Sequence, residues 1–157
     1  MDGLKITISP PAISRLLLRA AWAPLSVYII HAVVIRTSLR QTLDFPMHFA
    51  GGAAIAFFLF HLIGCFAPAF AESDAALRYL FSFALACTVG LFWEYGELFS
   101  DVFLHTHIQQ SLHETMMDLI ADTVGASASL VLVAILLWLR PGRRLLARKG
   151  RPGFQYE

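Results

Sequence analysis

Four apolar stretches, separated by short polar clusters, organise the chain. They run from about Trp22 to Ile35, Pro46 to Phe66, Leu77 to Phe99 and Leu119 to Leu139. A bilayer core takes about 20 mostly apolar residues per helix, so the pattern predicts four membrane helices, of which the first is short unless it extends into its flanks. Ahead of it, "PAISRLLLRAAW" (residues 11–22) is basic and amphipathic; it reads either as a short interfacial helix or as an extension of helix one. The expected fold is all-α: a polytopic transmembrane four-helix bundle, with an N-terminal segment 1–21, a transmembrane domain 22–139 and a basic tail 140–157.

Composition agrees with this reading. The chain is 57% hydrophobic and 15% charged, with a mean hydropathy of +0.64, too apolar for a soluble domain of 157 residues. No linker or repeat divides it. Cys65 and Cys87 stand alone in apolar runs and are expected to be small core hydrophobes. The first segment lacks the pattern of a cleaved signal peptide and is expected to stay in the mature protein.

Charge sets the expected topology. Six Lys or Arg lie between Arg140 and Arg151, Lys5, Arg15 and Arg19 precede helix one, and Arg78 precedes helix three, against only Arg36 and Arg40 on the other side. By the positive-inside rule both termini are expected to be cytoplasmic, in the cell's inner membrane. The tail cations suit anionic inner-leaflet lipid and not nucleic acid. Trp22, Trp93 and Trp138 fall near predicted helix ends, where interfacial aromatics gather.

Seven of the eleven acidic residues then converge on the outer ends of helices two to four: Asp44, Glu94, Glu97, Asp101, Glu114, Asp118 and Asp122. Residues three or four apart share a helix face, so Asp44 pairs with His48, Glu94 with Glu97 and Asp101, and Glu114 with Asp118 and Asp122. Of these, His48, Glu94 and Asp122 sit roughly one turn inside the predicted apolar boundary, where ionised groups cost several kcal/mol unless paired or wet. Shared protons, arginine or a metal cation must offset the crowding. Asp44, His48, Asp118 and Asp122 are the candidate metal ligands, Glu94 and Glu97 the candidate catalytic carboxylates, and Arg36 and Arg40 the candidate substrate-binding cations. Such a mixed oxygen and nitrogen set, which His105, His107 and His113 could join, fits zinc, manganese or iron, whereas carboxylates alone fit magnesium or calcium.

Plainer roles compete for several of these residues. Asp44 can cap helix two with Pro46 in its first turn. Glu114 with Thr115 can stabilise the start of helix four, and Asp101, His105 and His107 can be wet loop residues. His31 and His61 read as neutral histidines bonded to a neighbouring helix. Gly51, Gly52, Gly90 and the "GASAS" segment (residues 125–129) read as close-contact surfaces with serines between helices.

The order "DFPMHFAGG", "WEYGE", "ETMMDLIADTVGA" resembles the VanZ-like membrane proteins and related small families of unknown function, over roughly Asp44 to Ala126. The resemblance implies weight on Asp44, His48, Glu94, Glu97, Asp118, Asp122 and Gly125, and a link of some members to glycopeptide-antibiotic tolerance. An Asn often stands near the place of Asp122 in that family; the Asp here is a departure.

Two functional classes lead. One is a metal-dependent hydrolase acting on a lipid or lipid-linked envelope substrate, a divalent ion polarising a carbonyl or phosphoryl oxygen and Glu94 or Glu97 taking the proton. The other is a non-catalytic envelope-lipid or tolerance factor. A proton-coupled transporter fits less well, because the inner halves of helices two to four offer only His61 as an ionisable group. Four helices barely seal a polar site from lipid, which leaves a homodimer open.

Overall fold

The computed structural model describes Ser14, residues 17–66 and residues 75–139. Among them every element is helical: a π-helical turn at Leu17–Ala21, then α1 (Trp22–Val34), α2 (Arg40–Phe66), α3 (Ala75–Leu104) and α4 (Leu112–Leu139). Of the basic stretch 11–22, Ser14 and residues 17–22 are described, and Leu17–Ala21 runs directly into α1, as an extension of helix one would; the remaining residues before it and the whole basic tail lie outside the described residues.

Helices α2, α3 and α4 are each long and apolar enough to cross a membrane. At 1.5 Å per residue they extend about 40–45 Å, beyond a hydrocarbon core of about 30 Å. Large apolar side chains such as Phe92, Leu132 and Ile135 point outward, as a lipid-facing surface requires. By contrast α1 has 13 residues and spans only about 20 Å, short of a full crossing.

The helices outrun the apolar windows that predict them. α2 begins at Arg40, six residues before Pro46, α3 continues past Phe99 to Leu104, and α4 starts at Leu112. Hydropathy registers only the apolar part of a helix, while the polar ends continue through backbone hydrogen bonding. As a result Asp44 lies in the second turn of α2 and is not its cap, and Pro46 sits inside the helix.

Packing follows small residues. A Cβ on Gly52 would strike the backbone carbonyl of Asp122, and one on Gly125 the carbonyl of Phe49; glycine at both places lets α2 and α4 cross nearly backbone to backbone. Ala56 and Phe60 on α2, Ala86 on α3, and Ala126, Leu130 and Val133 on α4 form the apolar core. Arg78 at the start of α3 donates twice to the carbonyl of Phe60, at 2.9 and 2.6 Å, and its guanidinium lies 3.7 Å over the Phe60 ring.

Several small expectations are corrected. Cys65 is exposed, near the end of α2, so it faces outward and is not core. The Ser127 hydroxyl donates to the Thr123 carbonyl of its own helix and faces out, not between helices. Likewise His61 bonds the Phe57 carbonyl one turn back on α2, where a neighbouring helix was expected. Trp93 lies eleven residues before the end of α3, where its ring meets His31 of α1.

The first residues of α2 and the 105–111 loop meet at one end of the bundle. Arg40 Nη2 donates to the Ile108 carbonyl at 2.9 Å, and the Gln41 and Gln110 side-chain amides bond at 3.0 Å.

Candidate functional site

Beneath this junction the bundle buries four ionisable side chains. His48 on α2, Glu94 on α3 and Asp118 and Asp122 on α4 are 6%, 3%, 4% and 6% exposed. The polar end of each helix therefore delivers its charged face inward, as the three- and four-residue spacing requires. Counted from the helix ends at this side, His48 lies about 12 Å along α2 and Glu94 and Asp122 about 15 Å along α3 and α4, because the polar ends of the helices run on past the apolar windows.

His48 is the hub. Its Nδ1 is 3.3 Å from Asp122 Oδ2 and 3.7 Å from Glu94 Oε1, while Nε2 is 4.0 Å from Asp44 Oδ1 one turn back on α2. Donor atoms of His48, Glu94 and Asp118 all lie within 4.8 Å of one another. Gly90 makes room for this on α3, since a Cβ there would stand 2.5 Å from Asp122 Oδ2.

Two carboxylates facing one imidazole in a low-dielectric interior are costly without a compensating positive charge. Glu94 shows where compensation is missing. Gln109 donates to its Oε2 at 3.2 Å and to its backbone carbonyl at 3.1 Å, but Oε1 is buried with no hydrogen-bond partner. Buried polar atoms are almost always satisfied, so this oxygen marks room for a cation. One nitrogen and two carboxylates form a donor set that suits zinc or manganese.

Two cavities flank the cluster. One, of about 270 Å³, runs between α1, α2 and α3, lined by Val27, Tyr28, Ile55 and Val89 and ending at His48 and Asp122. The other, of about 490 Å³, lies between α3 and α4 under the 105–111 loop and reaches Glu94 and Gln109.

The family model described as a predicted membrane protein, DUF2238, matches residues 16–138. The chain belongs to this family. No curated protein and no solved structure matches it. The match supplies the membrane family and leaves the VanZ-like resemblance at the level of its motifs.

The remaining candidates within this DUF2238 chain separate by place. Glu97 is half-buried one turn along α3 from Glu94, where its Oε1 accepts from Trp93 Nε1 at 2.9 Å. Arg40 is engaged by the Ile108 carbonyl, and Arg36 stands exposed in the 35–39 loop. Asp101 is a loop latch: it accepts from Thr106 Oγ1 at 2.6 Å and from the backbone N–H groups of Ile108 and Gln109 at 2.5 and 2.8 Å. Glu114 accepts from the Gln110 N–H at 2.6 Å, while its own N–H donates to Ser111 Oγ at 3.2 Å, so Ser111 and Glu114 cap α4. His105 and His107, both exposed and at positive φ, turn the loop, and His113 is also exposed. His31 of α1 sets its ring edge-on to Trp93 at 5.2 Å.

Gln109 escaped the sequence reading. Nothing in "HIQQSLHE" distinguishes it from a solvated loop amide, since its role depends on a loop folding back over α3. The S-x-x-E capping spacing of Ser111 and Glu114 was legible there and is the signal that starts α4 early.

Proposed function

We propose that this protein is a membrane-embedded, divalent-metal-dependent hydrolase acting on a lipid or lipid-linked envelope substrate. The observation that carries the reading is the buried Glu94 Oε1, unpartnered yet facing His48 at 3.7 Å. His48, Glu94 and Asp118 would hold the ion, with zinc or manganese favoured over magnesium by the imidazole. A cation so held supplies Lewis acidity toward a carbonyl or phosphoryl oxygen and acidifies water.

The protein's own groups divide the rest of the work. Asp122 Oδ2, 3.3 Å from the same Nδ1 of His48 that Glu94 faces, would stand beside the ion as a further carboxylate donor. Gln109 holds Glu94 by Oε2, which leaves Oε1 directed at the centre. Glu97, anchored to Trp93 through Oε1, has Oε2 free to accept the proton of the attacking water and pass it to the leaving oxygen. The water oxygen bonds to carbon or phosphorus as the ester bond breaks, so charge and atoms balance without a further reactant. With the cytoplasmic ends assigned by the basic tail, the centre faces the outer leaflet, and the VanZ-like motif order gives an envelope role as context.

A transporter is less well supported, because on the far side of the cluster His61 and Arg78 are bound to nearby carbonyls and extend no polar path. The deciding experiment is metal analysis of purified protein alongside His48→Ala and Asp118→Asn, followed by mass spectrometry of lipids exposed to the loaded protein. About one ion per chain in the wild type, lost in both variants, together with a new lipid cleavage product, is expected. Absence of metal from the wild type overturns the centre; metal without lipid turnover converts the reading to a non-catalytic lipid-binding factor.

A further inference from the structure

The 270 Å³ cavity between α1, α2 and α3 has features that a metal centre alone does not require. It sits within the membrane-crossing stretches of α2 and α3, so its natural surroundings are hydrocarbon. Its walls are almost wholly apolar, from Pro24, Val27 and Tyr28 on α1 to Ile55 on α2 and Ala86 and Val89 on α3, and its polar end is His48 with Asp122. α1 packs on α2 and reaches α3 through His31 on Trp93, near the acidic end, which leaves the gap below that bridge half-open.

We propose that this cavity holds one acyl chain of a lipid drawn sideways from the bilayer, with the bond joining chain to headgroup set at the His48 end. This deepens the hydrolase reading and rests on it for the chemistry, though not for the docking. Size is compatible: a cavity of about 270 Å³ has room for the part of one acyl chain next to the headgroup, with the remainder lying toward the bilayer. A second copy of the chain fits poorly, because a helix about 10 Å wide cannot enter a slot of that volume. A soluble substrate would leave the apolar walls unused. The headgroup would stay at the His48 end of this cavity, beside Met47 and Asp122.

The test uses the full-length protein in phosphatidylethanolamine vesicles doped with a phospholipid carrying a diazirine midway along one acyl chain, with cross-linked sites mapped by mass spectrometry. Labelling of Val27 or Ile55, both half-buried in the slot, is expected to saturate as probe is added, while labelling of the outward-facing Phe92 and Leu132 rises in proportion to it. Val89→Trp, which fills the slot, is expected to lower the saturable labelling about tenfold and leave Phe92 unchanged; Val27→Trp does the same from the opposite wall should the first variant fail to fold. Labelling of the slot in proportion to probe, no effect of a folded filled variant, or cross-links to a second copy would overturn the proposal, and the wild-type saturation curve decides it alone if neither variant folds. Metal content measured on the same samples separates the two ideas. Saturable labelling without metal keeps the chain site and sinks the hydrolase, whereas metal with non-saturable labelling does the reverse.

Discussion

The two halves of this bundle treat polar groups in opposite ways. In the half toward Phe60 each polar side chain is satisfied close at hand: Ser82 donates to the Arg78 carbonyl at 2.7 Å, Arg78 to the Phe60 carbonyl, and His61 bonds Phe57. Around them Phe60, Leu130 and Val133 pack together, with the Arg78 guanidinium over the Phe60 ring. In the half toward the 105–111 loop the buried groups face one another across three helices, and Glu94 Oε1, 3.7 Å from His48 Nδ1, makes no hydrogen bond. One half is arranged for stability and the other carries a cost that a shared proton or a cation would relieve.

The crossing that joins the halves is the largest lever. Gly125→Val drives a side chain into the Phe49 carbonyl of α2, and backbone cannot yield as a flexible side chain can. The two helices must separate, taking apart the core and the His48, Glu94 and Asp118 cluster together. The expected result is loss of monodisperse protein after detergent extraction, a cost of several kcal/mol; recovery of wild-type amounts with unchanged melting would contradict the crossing.

Phe60→Ala is next and should hurt one half alone. Truncating a buried Phe costs roughly 3–5 kcal/mol in water-soluble proteins, and the lower end applies because lipid, unlike water, does not penalise apolar exposure. Melting should fall while the bound metal stays at wild-type occupancy. If metal content fell in step with stability, the two halves would be one cooperative unit and the contrast drawn above would fail.

Legibility in the sequence followed the same division. The three long helices and the convergence of Asp44, His48, Glu94, Asp118 and Asp122 could be seen because apolar runs and helical phase are local properties. How deep the cluster sits could not, since the turns added at Arg40, Leu112 and beyond Phe99 are polar and hydropathy does not register them. Nor was it visible that Glu94 joins His48 and Asp118 while Glu97, one turn away, turns to Trp93: side chains on one face diverge once neighbouring helices choose among them. The roles of Gln109 and Asp101 depend on a loop folding back, which no periodicity encodes.

Glu94→Gln should reverse the usual sign. It removes a buried carboxylate charge that lacks a donor and keeps the side chain's volume, so with chelator present the variant should melt higher than wild type by about 1 kcal/mol. Added zinc or manganese should then raise the melting of the wild type and leave the variant where it was, because ligand binding stabilises only a fold that binds. A variant less stable than wild type under chelation would mean that Glu94 is held by an attraction already complete in the protein, most directly to His48.

The smallest effect tests whether the loop belongs to the centre. Gln109→Leu removes the amide that holds Glu94 Oε2 but leaves the Asp101 latch, whose bonds run to the backbone of residues 108 and 109, so the loop should keep its path and stability should change by less than about 1 kcal/mol. Metal affinity, measured by competition with a chelating dye, should nonetheless fall about tenfold, the lower end for a residue that orients a ligand from behind. Equal affinity in the two proteins would assign Gln109 to loop packing alone, and the boundary of the site would then lie at the helices, with the 105–111 segment a lid in position only.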